Sequence, residues 1–201
     1  MKLSTFFKSG LIAALLSVSN LNGIVIDNAG IISDNVRTKL NQIGSELKEK
    51  TGVTLDLITT KDSDLRSATK DHESNLKKPY ILLAISPKTE DKKSGKVDIF
   101  ASDDAYALFD KDAVLSPYPE VGTILPILVS NKGEDIYNAA MLNGYADISD
   151  MVAKSKDVIL VNSIGNSNKT TLNLLRYFVY GSMFLVIVVF LVRKFKRGLH
   201  A

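Results

Sequence analysis

Residues 33–59 read SDNVRTKLNQIGSELKEKTGVTLDLIT, and within them one periodicity gives way to another. Val36, Leu40, Ile43 and Leu47 fall at i, i+4, i+7 and i+11, a single apolar stripe, with Arg37, Lys39, Glu46, Lys48 and Glu49 off it. That is the pattern of a helix buried along one side. Ser33 stands at the N-cap, where a short polar side chain accepts from a free backbone N–H. Gly52 stands at the C′ position, where a left-handed residue ends a helix. From Val53 the period drops to two: Val53, Leu55 and Leu57 alternate with Thr54 and Asp56, which predicts a strand over 53–59. A helix running straight into a strand is the unit of a layered α/β protein.

The same reading extends both ways. Upstream, Ile24-Val25-Ile26 is a short apolar run ending at Asp27-Asn28. Downstream, Leu65, Thr69, His72 and Leu76 keep helical spacing, and Pro79 closes a second helix predicted over 62–76. Residues 80–85 are short and apolar throughout, as in a strand buried on both faces. After a charged turn over 87–95, Val97, Ile99 and Ala101 share one face of a returning strand. Helical stretches follow at 103–109, at 120–129 with an interruption at Pro126, and at 134–153. In the last, Gly144 permits close approach of a neighbour. Strands alternating with helices predict a small mixed sheet flanked by helices.

The two ends read differently. Residues 1–19 have the anatomy of a signal peptide: Lys2 and Lys8, an apolar run over 11–18, and the small-x-small triplet Ser17-Val18-Ser19. Residues 20–155 form the domain and 156–175 a polar juxtamembrane linker. Residues 176–193 predict a transmembrane helix around the uncharged run 177–192, with Leu172, Leu174 and Leu175 extending it upstream. The tail over 194–201 continues the cluster Arg193-Lys194-Phe195-Lys196-Arg197, whose cations keep it in the cytoplasm. Signal peptide and basic cluster thus predict one topology, with the domain in the periplasm or another extracytoplasmic space.

Seven of the 25 cations lie in these end segments, so residues 20–175 carry 18 cations against 22 acids, a net charge of −4. The pI near 8.9 therefore belongs to the ends that meet a membrane, and an acidic domain is a poor match for nucleic acid. The chain has no cysteine, which excludes disulfides, thiol catalysis and thiolate metal sites. No phosphate-binding or dinucleotide fingerprint is present.

Ile24-Val25-Ile26-Asp27-Asn28-Ala29-Gly30-Ile31-Ile32-Ser33 resembles the opening signature of the TPM domain family. Thr51-Gly52-Val53-Thr54-Leu55 is similar to that family's entry into its first long strand. Tyr137-Asn138-Ala139-Ala140 with Asn143-Gly144-Tyr145-Ala146-Asp147-Ile148 resembles its closing helix. The likeness covers residues 24–155, and many bacterial members share the leader and membrane helix. It implies a three-layer α/β/α sandwich in the cell envelope. Members are linked to photosystem II repair, to receptor modulation and to a divalent-ion-assisted acid phosphatase activity. The sequence departs from the pattern at Lys77-Lys78-Pro79, where members carry Asp-Asn-Gly. It departs again at Ala101-Ser102-Asp103-Asp104-Ala105, where they carry a glycine-rich turn. Both segments stand where members gather their acidic cluster.

Asp103, Asp104, Asp110 and Asp112 are the candidate metal ligands together with Asp27, for calcium or magnesium, since hard cations collect several carboxylate oxygens. The alternative is helix capping by Ser102 and Asp103, with Lys111 parting Asp110 from Asp112. His72 is the only histidine of the domain, and its neighbours Asp71 and Glu73 suggest a solvated helix face. The leading expectation is a membrane-anchored binding module that assists or modulates a membrane protein complex. The alternative is a divalent-cation-assisted extracytoplasmic acid phosphatase.

Overall fold

The computed structural model describes residues 24–89, 94–130, 135–164, 180–185 and 188. Four strands form one mixed sheet in the order β1 (Val25–Asp27), β2 (Thr54–Thr59), β3 (Tyr80–Ser86) and β4 (Lys96–Ala101). β1, β2 and β3 run parallel, and β4 returns antiparallel along β3. Every residue of β2 and β3 is buried, as a central pair covered on both faces must be.

The stripe predicted from residues 36–47 is the inner side of α1 (Asp34–Thr51), whose Leu40, Ile43 and Leu47 are fully buried. Ser33 caps it by accepting from the Val36 N–H, and Gly52 ends it at φ +76°. α1 packs with α6 (Ile136–Ser155) against the face carrying Leu55, Leu57, Ile81, Leu83 and Ile99. Tyr145 of α6 is fully buried, and its hydroxyl donates to the Leu55 carbonyl at 2.6 Å. The opposite face carries Ile58, Tyr80 and Leu82, with Ile26, Leu76 and Phe100 against them. α2 (Leu65–Ser74) lies over β3 and β4 on that side. It is shorter than the predicted 62–76 because Asp64 caps it, accepting from the Ser67 N–H.

Between β4 and α6 the chain makes three short helices, α3 (Asp103–Tyr106), α4 (Lys111–Val114) and α5 (Leu125–Ser130). Pro126 stands in the first turn of α5, where a missing N–H is harmless, so it opens the helix and does not interrupt one. Gly144 admits Ile124, whose Cγ1 lies 2.3 Å from where a Cβ would stand.

Asn138 at the start of α6 contacts Ser33 and Ile31, just after β1. The chain leaving α6 contacts Lys50 and Glu46, near the end of α1. α6 therefore runs in the same direction as α1, and the domain has two poles. One carries the C-terminal ends of the parallel strands. The other carries their N-terminal ends and the exit from α6.

Of the membrane segment expected over 176–193, only residues 180–185 and 188 are described, all helical. No helix among the described residues is long and apolar enough to cross a membrane. The expected signal peptide over 1–19 and the basic tail over 194–201 lie outside the described residues.

Candidate functional site

Asp27 ends β1, and the turn that follows is built on its carboxylate. Oδ1 accepts from the Gly30 N–H at 3.0 Å, the Ile31 N–H at 3.1 Å and the Thr59 hydroxyl at 2.5 Å. Oδ2 accepts from the Ile32 N–H at 3.0 Å and from Arg37 Nη2 at 3.3 Å. Arg37 Nη1 donates to the Val25 carbonyl. Asn138 closes the turn from α6, accepting from the Ser33 N–H and donating to the Ile31 carbonyl. Burial pushes the Asp27 carboxyl up. The Thr59 hydroxyl and the N–H groups of Ile32, Ile31 and Gly30 outweigh it and hold the group below the usual carboxylate range. The side chain is 4 % exposed, with donors already on both oxygens. A hard cation would have to displace them.

The other four candidate ligands stand elsewhere. Asp27 is level with Thr59, and Thr59 with Ile85. β4 runs the other way, so Ala101 pairs with Ile81 and α3 begins at the opposite pole. There Asp103 is exposed, and Asp104 accepts from the Ser102 hydroxyl at 2.5 Å. Ser102 makes no side-chain cap bond; its oxygen accepts from the Tyr80 N–H and ties α3 to the start of β3. Asp110 caps α4 through the Ala113 N–H at 2.9 Å, and Asp112 is exposed in the same turn. Lys111 reaches Asp98 at 2.7 Å and lies over the Phe100 ring. The structure thus separates Asp27 from the other four. Among the described residues no group of three or more His, Asp or Glu side chains could hold a metal ion.

His72 departs from the solvated face expected of it. Its Nε2 lies 2.7 Å from Asp56 Oδ2, and its side chain is only 22 % exposed. Asp56 is fully buried in the middle of β2, and Oδ1 accepts from the Ile24 N–H at 2.7 Å. Burial raises the Asp56 carboxyl, against the pull of the His72 bond, the Ile24 N–H and the positive charges nearby. The signal was present in the sequence, because an acid in the strand Thr54–Thr59 becomes a buried charge that needs a partner. Glu73, beside His72, is also engaged: it pairs with Arg66 at 2.8 Å and accepts from the Tyr80 hydroxyl at 2.8 Å. Burial, then Glu73, pushes the Tyr80 hydroxyl up to about 12. A carboxylate on Nε2 fixes the ring's orientation. The pair locks α2 and the start of β1 to β2.

A further buried acid, Glu46, holds the chain that leaves α6. Oε1 accepts from the Val161 N–H at 2.6 Å and Oε2 from the Asn162 N–H at 2.7 Å. Lys50 bridges Glu46 and the Ile159 carbonyl, 2.7 Å from each. Burial opposes the charge on Glu46, yet Lys50 and the Val161 and Asn162 N–H groups hold its carboxyl down at about 2. The stretch read as linker from residue 156 is therefore docked on α1 as far as Asn162. Composition could not reveal this, because the docking bonds go to main-chain groups that every residue carries. No protein-family model matches the chain, and no curated protein matches it.

Proposed function

We propose that this chain is a membrane-tethered, extracytoplasmic binding module of TPM-like, three-layer α/β/α build that assists or modulates a membrane protein complex. Residues 1–19 export it, a transmembrane helix over 176–193 anchors it, and the basic tail stays in the cytoplasm. The observation that carries this reading is the Glu46–Lys50 clasp on residues 159–162. A domain on a slack tether meets its neighbours in every orientation. The clasp takes residues 159–162 out of the free tether, which shortens the reach of the domain and suits a module serving a complex in the same membrane. The engagement of the carboxylates agrees: Asp27 organises a turn, Asp103 and Asp104 stand at the other pole at the end of β4, and Asp110 caps α4.

Topology comes first in testing it. A reporter active only outside the cytoplasm should work when fused after Ile164 and fail when fused after Ala201; activity at Ala201 overturns the anchored topology. Photo-crosslinking of the full chain in intact cells should then capture an integral membrane protein. Phosphate release from an aryl phosphate that needs calcium or magnesium, and disappears in Asp103→Ala or Asp110→Ala, would replace the module with the phosphatase.

A further inference from the structure

The strap that leaves α6 turns large apolar side chains outward. Leu160 points in and is 9 % exposed, whereas Ile159 and Val161 on either side are 84 % and 82 % exposed. This is the alternation of an extended chain, with apolar residues on the side where water-facing strands carry polar ones. The row cannot roll inward. Lys50 holds the Ile159 carbonyl, Glu46 holds the Val161 and Asn162 N–H groups, and the Val158 N–H is bonded to the Ala153 carbonyl at 2.9 Å.

The chain itself indicates what such a row meets. Twelve residues, 165–176, separate Ile164 from the apolar run at 177–192. Fully extended they reach about 40 Å, which sets the farthest the strap can stand from the bilayer face. Two side chains are too few for a protein interface, which buries about 800 Å² on each partner. They suit insertion at the boundary between headgroups and acyl chains, which takes a shallow apolar edge beside polar groups. Exposed Lys154 and Lys156 precede the row, with exposed Asp157 between them and it, so polar and charged groups adjoin the apolar edge. We infer that Ile159 and Val161 form a shallow bilayer-insertion edge, so that the strap lies on the membrane and the strand-N-terminal pole faces it. This rests on the tethered reading above.

The chain contains no tryptophan, so one substitution supplies an unambiguous probe. Ile159→Trp in the full chain, reconstituted in phosphatidylcholine vesicles, is compared with Val129→Trp. Val129 is 76 % exposed on α5, and the cleft it lines includes Ser86 and Tyr137, at the other pole. The residue-159 probe should emit at shorter wavelength than the residue-129 probe and lose most of its emission when the acyl chains are brominated. Val161→Trp should repeat the result from the second side chain. Equal quenching at 159 and 129 in chains that float with the vesicles overturns the inference and leaves the tether standing. A blue-shifted probe that brominated lipid does not quench also overturns it, since protein then covers the row. Failure of the chain to float with vesicles removes tether and insertion edge together.

Discussion

Asp27→Ala would strip the turn after β1 of its acceptor for the Gly30, Ile31 and Ile32 N–H groups and leave Arg37 unpaired there. Hydrogen bonds to a charge are each worth about 1.5–3 kcal/mol and do not add, so the expected loss is about 3 kcal/mol. It should appear as a lower urea midpoint at unchanged slope. The fold holds Asp27 below its ordinary 3.8. Its contribution is therefore complete above that value and disappears as pH falls through the lowered one. Wild type and Asp27→Asn should converge in acid. Asp56 has the opposite sign, because the fold raises its carboxyl and stability falls as pH climbs through the interval above 3.8. His72→Ala leaves that buried carboxylate short of a partner, at an expected cost of about 3–5 kcal/mol near neutrality. The deficit should shrink in acid, where the lone carboxyl is protonated. A deficit unchanged with pH would mean that His72 acts only through its packing.

At the scale of elements, α6 packs closely at Gly144, where an added Cβ would stand 2.3 Å from Ile124 Cγ1 and 2.4 Å from Cδ1. Alanine for glycine gains about 1 kcal/mol in an open helix. Overpacking of the fully buried Ile124 costs about 1–3 kcal/mol. Gly144→Ala should therefore lower the melting temperature, and in an Ile124→Ala background the same change should become neutral or stabilising. Gly144 could be read from its place among apolar helix positions. Its partner could not, since Ile124 stands in a bend just ahead of α5 and not on the helix expected over 120–129. The strap is the counterpart. Glu46 falls off the apolar stripe of α1 and reads as solvated, yet it is 8 % exposed because residues 159–162 cover it. Glu46→Gln should cost about 2 kcal/mol through the lost charged acceptors. The loss should fade as pH drops from the ordinary 4.5 towards about 2, since a lowered carboxyl stabilises only while ionised.

For the whole molecule, the order of elements and the two buried central strands follow from periodicity, because helix and strand bury their faces at different spacings. The position of the carboxylates does not follow. Asp27 and Asp103 lie 76 residues apart in sequence, and only the reversal of β4 puts them at opposite poles. Thermal unfolding of the full chain in millimolar calcium or magnesium against chelator should accordingly show no shift. An ion at a hundredfold excess over its Kd would add about 2.7 kcal/mol, several degrees for a domain of this size. A saturable rise abolished by Asp110→Ala would overturn that expectation. The clasp has a further consequence once the tether bears load. Tension passing down the strap from Ile164 meets the Ser163 bond to Asp150 before the Asn162 and Val161 bonds to Glu46, and the Lys50 bond at Ile159 after them, so the strap peels one attachment after another. Peeling of residues 157–164 pays out about 25 Å of slack before any pull reaches α6 and the sheet behind it.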